Sequence, residues 1–113
     1  MKRLLVISDQ PITPNQLDDE LENWDIREVI TIPDNLKTIW ETISPEATNF
    51  EVQRHIQPVW DWLEVRATTG DIALINGDVS ATLYVANRVW TELGVTPVYA
   101  TRWDRIRVRL ILF

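Results

Sequence analysis

Residues 70 to 82 read Gly-Asp-Ile-Ala-Leu-Ile-Asn-Gly-Asp-Val-Ser-Ala-Thr, and this stretch decides the fold. Its first half, residues 71 to 76, is a short and almost continuously apolar run, which is typical of a strand buried on both faces. The turn that follows leads into a helix predicted from about Ala81 to Leu93, with a broad apolar face. A buried strand that passes directly into a helix predicts a parallel α/β arrangement.

The rest of the chain repeats this alternation. Strands are predicted at residues 3–8, 27–32 and 96–101, and a fifth strand at 105–110 has period-two alternation. Helices are predicted after Thr13-Pro14, after Asp34 as a capping residue, and over a stretch ending near Ala67 that Pro58 starts, bends or splits. The short turn before the fifth strand makes it antiparallel to the fourth.

The order β-α-β-α-α-β-α-β-β predicts one α/β domain over residues 1–113 of Rossmann-like type. Its mostly parallel five-stranded sheet has the order 2-1-3-4-5, with the last strand antiparallel at an edge and helices flanking the sheet. A chain of 113 residues and 13.2 kDa has the size of one domain.

Rare residues exclude several kinds of site. The chain has no cysteine and one histidine, His55, which rules out thiolate and multi-histidine metal centres. Three glycines cannot form G-x-G-x-x-G, and no Gly-Lys pair supports a Walker-type loop. No metal and no cofactor is therefore expected. The apolar run at the amino terminus is too short for a signal peptide, so we expect a cytoplasmic protein that does not enter a membrane.

Charge is unevenly distributed along the chain. Residues 1–78 carry 6 basic and 15 acidic side chains, net −9, whereas residues 79–113 carry 5 basic and 2 acidic ones, net +3. An acidic protein of net charge −6 is not expected to bind long DNA or RNA, but its basic end could hold one small anion.

In open α/β sheets, ligands bind beyond the carboxyl ends of the strands where the strand order reverses, which here lies between strands one and three. The loops that meet there supply the candidate ligand-binding residues Ser8, Gln10, Asn76, Gly77, Val79, Ser80, Thr82 and Thr101, and the candidate catalytic residues Asp9, Asp78 and Arg102. The turn from Asn76 to Thr82 suits a phosphate, although it is also an ordinary turn in which Asp78 or Ser80 caps the helix.

Several of these candidates have more than one interpretation. Arg102 could clamp a phosphate, and Arg105 is a further ligand-binding candidate, whereas Arg107 and Arg109 fit a solvated edge strand. Asp9 and Asp78 could bind ribose hydroxyls, act as a general base or hold a hard cation. The aromatic residues Trp40 and Trp103 could stack on an adenine-sized ring, or they could belong to the core or an interface.

The chain resembles the small CRISPR-associated proteins of the Csx-twenty type. The resemblance covers most of the chain: Ile12-Thr-Pro-Asn-Gln16, residues 36–45 and 56–63, and above all residues 70–82 with Glu92-Leu-Gly-Val-Thr-Pro-Val-Tyr-Ala-Thr101. It implies a compact fold related to CARF sensor domains and a ring nuclease of type III CRISPR defence. Such a protein is a homodimer that cleaves the second messenger cyclic tetra-adenylate to linear oligoadenylate with 2′,3′-cyclic phosphate ends.

Two other functions remain open at this stage. The chain could capture cyclic oligoadenylate without cleaving it, or it could be a regulatory subunit that dimerises through its apolar last helix and binds no nucleotide. Release of product distinguishes the first alternative from an enzyme, and a ligand-induced shift in melting temperature distinguishes the second.

Overall fold

A computed structural model describes residues 2–102 and 107–113. Within these residues five strands and five helices follow one another as β1 (Lys2–Ser8), α1 (Pro14–Asn23), β2 (Ile26–Thr31), α2 (Asp34–Glu41), α3 (Asn49–His55), α4 (Gln57–Arg66), β3 (Ile72–Asn76), α5 (Val79–Leu93), β4 (Thr96–Arg102) and β5 (Val108–Leu112).

The strands form one sheet in the order β2-β1-β3-β4-β5, which confirms the predicted topology. The pairs β1–β2, β1–β3 and β3–β4 are parallel, and β4–β5 is antiparallel. The order reverses between β1 and β3, because β2 lies on one side of β1 while β3 and β4 follow on the other.

Both faces of the sheet are covered, which explains the continuous apolar runs of β1 and β3. One face packs with α2 to α5 in a core that includes the fully buried Trp40 and Trp60. The other face packs with α1 in a smaller core around Leu4, Leu17 and Leu74. Alternate residues of each strand supply the two cores, so every residue from Leu4 to Ile7 is buried.

Helix boundaries follow local chemistry. The chain enters α1 at Thr13, whose backbone N–H donates to Gln16 Oε1 at 2.9 Å, and Pro14 begins the helix. The stretch ending near Ala67 is split at Ile56, just before Pro58, into α3 and α4. At α5, Gly94 adopts the left-handed conformation, with φ of +63°, that ends the helix.

The structure corrects two details of the prediction. Asp34 does not cap α2; Pro33 holds the cap position and Asp34 is the first helical residue, where its charge still favours the helix N-terminus. In the described residues the fifth strand covers Val108–Leu112, two residues past the predicted end at residue 110, and residues 105 and 106 of the prediction lie outside the described residues. Within the described residues the β4–β5 pairing begins where Val108 lies opposite Arg102, and Val108 is the first residue of β5 that the α1 core buries.

None of the helices in the described residues is long and apolar enough to cross a membrane.

Candidate functional site

The candidate site lies at the carboxyl edge of the sheet, where β1 and β3 end side by side. Ser8 and Asn76 are register partners, each the last residue of its strand. The N–H of Asp9 then donates to the carbonyl oxygen of Asn76 at 3.1 Å. The loops after β1 and β3 are thus joined by backbone bonding at the point where strand order reverses, as expected from the sequence.

Ser8 shapes the loop after β1. It is buried, and its Oγ both donates to the carbonyl oxygen of Gln10 at 2.9 Å and accepts from the N–H of Gln10 at 3.1 Å. The hydroxyl of Ser8 therefore holds the turn closed, while Gln10 is exposed and Asp9 is half-buried. Among the described residues, none forms a hydrogen bond or ion pair with the Asp9 carboxylate, which leaves that carboxylate available to a ligand.

Asp78 begins α5. Its carboxylate accepts from the N–H of Ala81 at 3.0 Å, and its carbonyl oxygen accepts from the N–H of Thr82 at 2.8 Å. This is the capping alternative that the sequence left open. The first N–H groups of a helix have no partner within it. Because Asp78 satisfies Ala81 and Thr82, the N–H groups in this first turn that an anion could bind are those of Val79 and Ser80, both exposed residues.

The absence of a side chain at Gly77 is explained by a core residue. The indole Nε1 of Trp40 donates to the carbonyl oxygen of Asn76 at 2.9 Å. A Cβ on Gly77 would lie 2.5 Å from that same nitrogen, so a side chain there would collide with Trp40. Trp40 is 1% exposed, which contradicts the expectation that it could stack on a base. Trp40 instead packs from the core against the turn that contains Asn76 and Gly77.

Three of the predicted binding residues line cavities, and these are two separate cavities. Gln10 and Asn76 line a cavity of about 120 Å³ at the carboxyl edge, on the side of the sheet that α1 covers. Its remaining lining residues are Pro11, Ile12, Gln16, Ala100 and Val108. Ser80 instead lines a separate cavity of about 220 Å³ between α3 and α5, which includes Gln53 and Tyr84. The first is called the edge cavity below.

The remaining candidate site residues are Thr82 on α5 and the residues at the end of β4. Thr82 is 9% exposed and its Oγ1 is buried, with no hydrogen-bond partner in the described part of the chain, so a surface ligand does not meet this hydroxyl directly. Thr101 is half-buried and lies opposite Arg109 in the β4–β5 pair. Arg102 is the last residue of β4. Arg105 and Trp103 lie outside the described residues.

Other charged groups are engaged elsewhere. Arg107 was predicted to lie in the fifth strand but precedes β5. Its Nη1 lies 3.8 Å from Oδ2 of Asp19 on α1. His55 is exposed, as predicted, with its Nε2 2.8 Å from the carbonyl oxygen of Ile39. Within residues 2–102 and 107–113, no group of three or more His, Cys, Asp or Glu side chains is arranged to hold a metal ion.

The fold and the site together define an open α/β protein. Its candidate ligand-binding site lies at the carboxyl edge of the sheet, where the strand order reverses. The chain belongs to the MJ1673 family: a family model described as "Uncharacterized protein MJ1673 family" matches residues 1–107. A relative named "Uncharacterized protein MJ1673", from Methanocaldococcus jannaschii, is 27% identical over 101 residues, which cover 89% of this chain and 76% of the relative. No solved structure matches the chain significantly.

Proposed function

We propose that this protein is a ring nuclease that binds cyclic tetra-adenylate at the carboxyl edge of its sheet and cleaves it to linear oligoadenylate. The pairing of Ser8 with Asn76 carries the proposal, since it brings the loops after β1 and β3 together at the switch point. The resemblance of residues 70–82 and 92–101 to the Csx-twenty type supplies the substrate. The same resemblance is the basis for linking this protein to type III CRISPR signalling.

Two groups at the edge suit the nucleotides of such a ring. The side-chain amides of Gln10 and Asn76 line the edge cavity, and an amide can pair with N6 and N7 of adenine in the way Asn and Gln read that base in DNA. Apolar neighbours such as Ile12 and Ala100 offer contact to the faces of a ring. The exposed first turn of α5 offers the N–H groups of Val79 and Ser80 to a phosphate.

Cleavage requires one bond to form and one to break. The 2′-hydroxyl oxygen of one ribose bonds to its own 3′-phosphorus, while the bond from that phosphorus to the 5′-oxygen of the next nucleotide breaks. A general base takes the 2′-hydroxyl proton, and the 5′-oxygen leaves with a proton from solvent. The ends are a 2′,3′-cyclic phosphate and a 5′-hydroxyl. Holding the attacking oxygen in line can contribute about 7–11 kcal/mol.

Asp9 is the proposed base. It is half-buried beside the switch point, and no described residue occupies its carboxylate. Asp78 is a weaker candidate, because capping α5 already engages one of its carboxylate oxygens. Arg102, at the end of β4, is proposed to stabilise the charge that develops on the phosphorus oxygens.

The proposal includes a homodimer without a resident metal or cofactor. A ring of four identical nucleotides has a twofold axis, so two copies of the chain would present each catalytic element twice. The partners expected are thus the ring and a second copy, with no membrane and no long nucleic acid, in the cytoplasm.

Three variants test these roles. In single-turnover reactions with cyclic tetra-adenylate, Asp9→Asn is expected to lower the cleavage rate by about 10²- to 10⁴-fold, the range typical of a lost general base. Arg102→Ala is expected to abolish turnover. The matched control is Asp61→Asn, which changes an exposed carboxylate on α4 and should cleave like the parent. Parental rates in Asp9→Asn and Arg102→Ala would remove both residues from the mechanism.

One observation favours a second candidate, a protein that captures the ring without cleaving it. The hydroxyl of Ser8 is committed to its own loop and the carboxylate of Asp78 to a helix cap, which leaves few polar groups for chemistry. In that case the intact ring would bind stoichiometrically and be recovered unchanged. A chain that neither binds nor cleaves the ring would point to the regulatory subunit.

A further inference from the structure

The structure contains an apolar surface that its own elements leave uncovered. Helix α5 buries one side against the sheet, but Val79, Leu83 and Trp90 on another side are 72%, 57% and 61% exposed. The spacings of four and seven residues place these three on one stripe of the helix. Adjacent apolar side chains this open to solvent often mark an interaction site.

The stripe continues into a groove beside the sheet. A cavity of about 450 Å³ separates α5 from β4 and β5, and its lining residues are Leu83, Ala86, Asn87, Trp90, Thr96, Pro97, Leu112 and Phe113. Leu112 and Phe113 are themselves 56% and 46% exposed. The Phe113 ring is held edge-on against Tyr99, with centroids 5.3 Å apart, so the wall of the groove is fixed by packing.

We infer that this groove and the α5 stripe are the surface through which two copies of the chain associate. None of the eight lining residues is charged, although charged residues make up 25% of the chain and its net charge is −6. Two acidic copies can therefore approach on this face without placing like charges in contact. Depletion of charge together with exposed Trp and Phe is the composition of an interface core.

The exposed area has the size that a dimer needs. At about 150–250 Å² for a large aromatic side chain, and somewhat less for Leu and Val, the five exposed side chains present roughly 500 Å² of apolar surface. A standard interface buries about 800 Å² on each partner, of which the rim is polar. The apolar face thus supplies a core of suitable size, and its surroundings need to supply only the rim.

The geometry of β5 indicates how the copies pack. At the outer edge of β5, the N–H of Leu110 donates to Glu20 Oε2 at 3.1 Å, so α1 already occupies the middle of that edge. A second sheet cannot add a strand there without breaking this buried bond. A second copy is therefore not expected to extend the sheet at β5, and the groove favours face-to-face packing through α5.

This inference rests on its own observations and does not depend on the proposed function, because the groove lies on the α5 side of the sheet and the edge cavity on the α1 side. Sedimentation velocity on the full chain is expected to give a dimer of twice 13.2 kDa. Leu83→Glu and Trp90→Glu place a charge in the face and are expected to raise the dimer Kd at least about 30-fold, the effect of losing an interface hot spot. The control is Val65→Glu, at a site on α4 that is 82% exposed, which should remain dimeric.

The absence of cysteine allows a second readout that does not rely on a disruptive variant. Asn87→Cys places a thiol in the groove, and a bifunctional thiol cross-linker is expected to give a covalent dimer, whereas Val65→Cys gives none. A monomeric parent chain would overturn the inference, as would charged variants that remain dimeric or equal cross-linking at both positions. Ring cleavage is measured separately, so a failure of either idea does not decide the other.

Discussion

The indole of Trp40 fills the space that a side chain on Gly77 would occupy. The two residues are 37 positions apart, yet a Cβ at residue 77 would lie 2.5 Å from Trp40 Nε1, the atom that donates to the carbonyl oxygen of Asn76. The turn at the candidate site is therefore built on a buried tryptophan of the core. The shape of this turn depends on residue 77 having no side chain.

Gly77→Ala is expected to destabilise the protein by about 1–3 kcal/mol, the range for a group forced into a packed core. Urea denaturation measures the loss. In a double-mutant cycle with Trp40→Phe, which removes the indole N–H and part of the ring, the two effects should not add, because the smaller ring leaves room for the new methyl group. Strict additivity would show that Trp40 is not what excludes a side chain from residue 77.

Glu20 joins α1 to the edge strand. Its Oε2 accepts from Trp24 Nε1 at 3.0 Å and from the buried N–H of Leu110 at 3.1 Å. Glu20→Ala leaves both donors without that partner and is expected to cost about 1–3 kcal/mol in the free energy of unfolding. Glu22→Ala, on the exposed side of the same helix, should stay within about 0.5 kcal/mol of the parent. Equal effects of the two substitutions would contradict this account.

The amino ends of the inner strands β1 and β3 are held together by an ion pair. Arg3 Nη2 lies 2.7 Å from Asp71 Oδ2, which also accepts from the N–H of Thr68 at 2.8 Å. The hydrogen bond between Arg3 and Asp71 raises the pKa of Arg3. Because Asp71 is buried and Arg3 only half-buried, Asp71→Ala is expected to cost about 2 kcal/mol on urea denaturation.

The control for that pair is an exposed one. Glu41→Ala removes a partner of Lys37 on the surface of α2, at 3.5 Å, and should change the free energy of unfolding by no more than about 0.5 kcal/mol. An Asp71→Ala variant as stable as Glu41→Ala would show that the buried pair contributes nothing beyond a surface contact.

Acid should remove one contribution to stability on α5. Hydrogen bonds from Arg88 lower the pKa of Glu92 below its ordinary value of 4.5. A carboxylate with a lowered folded-state pKa stabilises the protein above its unfolded pKa, and this stabilisation is lost as pH falls through the folded pKa. Glu92→Gln should therefore melt below the parent at pH 7, and the gap should close below about pH 4.5. A gap that is independent of pH would contradict the assignment.

Much of the fold is predictable from local sequence. The apolar runs 3–8 and 71–76, each closed by polar or turn-forming residues, identify β1 and β3, and right-handed crossovers then leave few possible strand orders. The split between α3 and α4 follows from Pro58. These features depend on residues close together in the chain, where periodicity and turn chemistry carry the information.

The remaining details depend on contacts between distant residues. The extension of β5 to Leu112 depends on its pairing with Val98 of β4, which the alternation of Arg105 to Leu110 does not reveal. The sequence gives no sign that Gly77 faces Trp40, 37 positions away, and only the fold shows that contact. The bond between Glu20 and Leu110 spans 90 positions, and an acidic residue in an amphipathic helix gives no signal of it.

Prediction of the candidate site from the sequence is limited in the same way, because the site also depends on contacts between distant residues. The loops after β1 and β3 were predicted to meet, and they do, because parallel strands end at one edge. Their side chains divide differently from the prediction: Gln10 and Asn76 line one cavity, Ser80 lines another, and Thr82 is buried. Helix α5 packs on β3, β4 and α3, and a single sequence does not specify this packing.

The most direct test of the proposed activity is incubation of the purified protein, in excess over cyclic tetra-adenylate, in the presence of EDTA. Products are separated by chromatography and identified by mass. The account predicts linear oligoadenylate with 2′,3′-cyclic phosphate ends. Recovery of the intact ring as the sole nucleotide, whether bound to the protein or not, would contradict it.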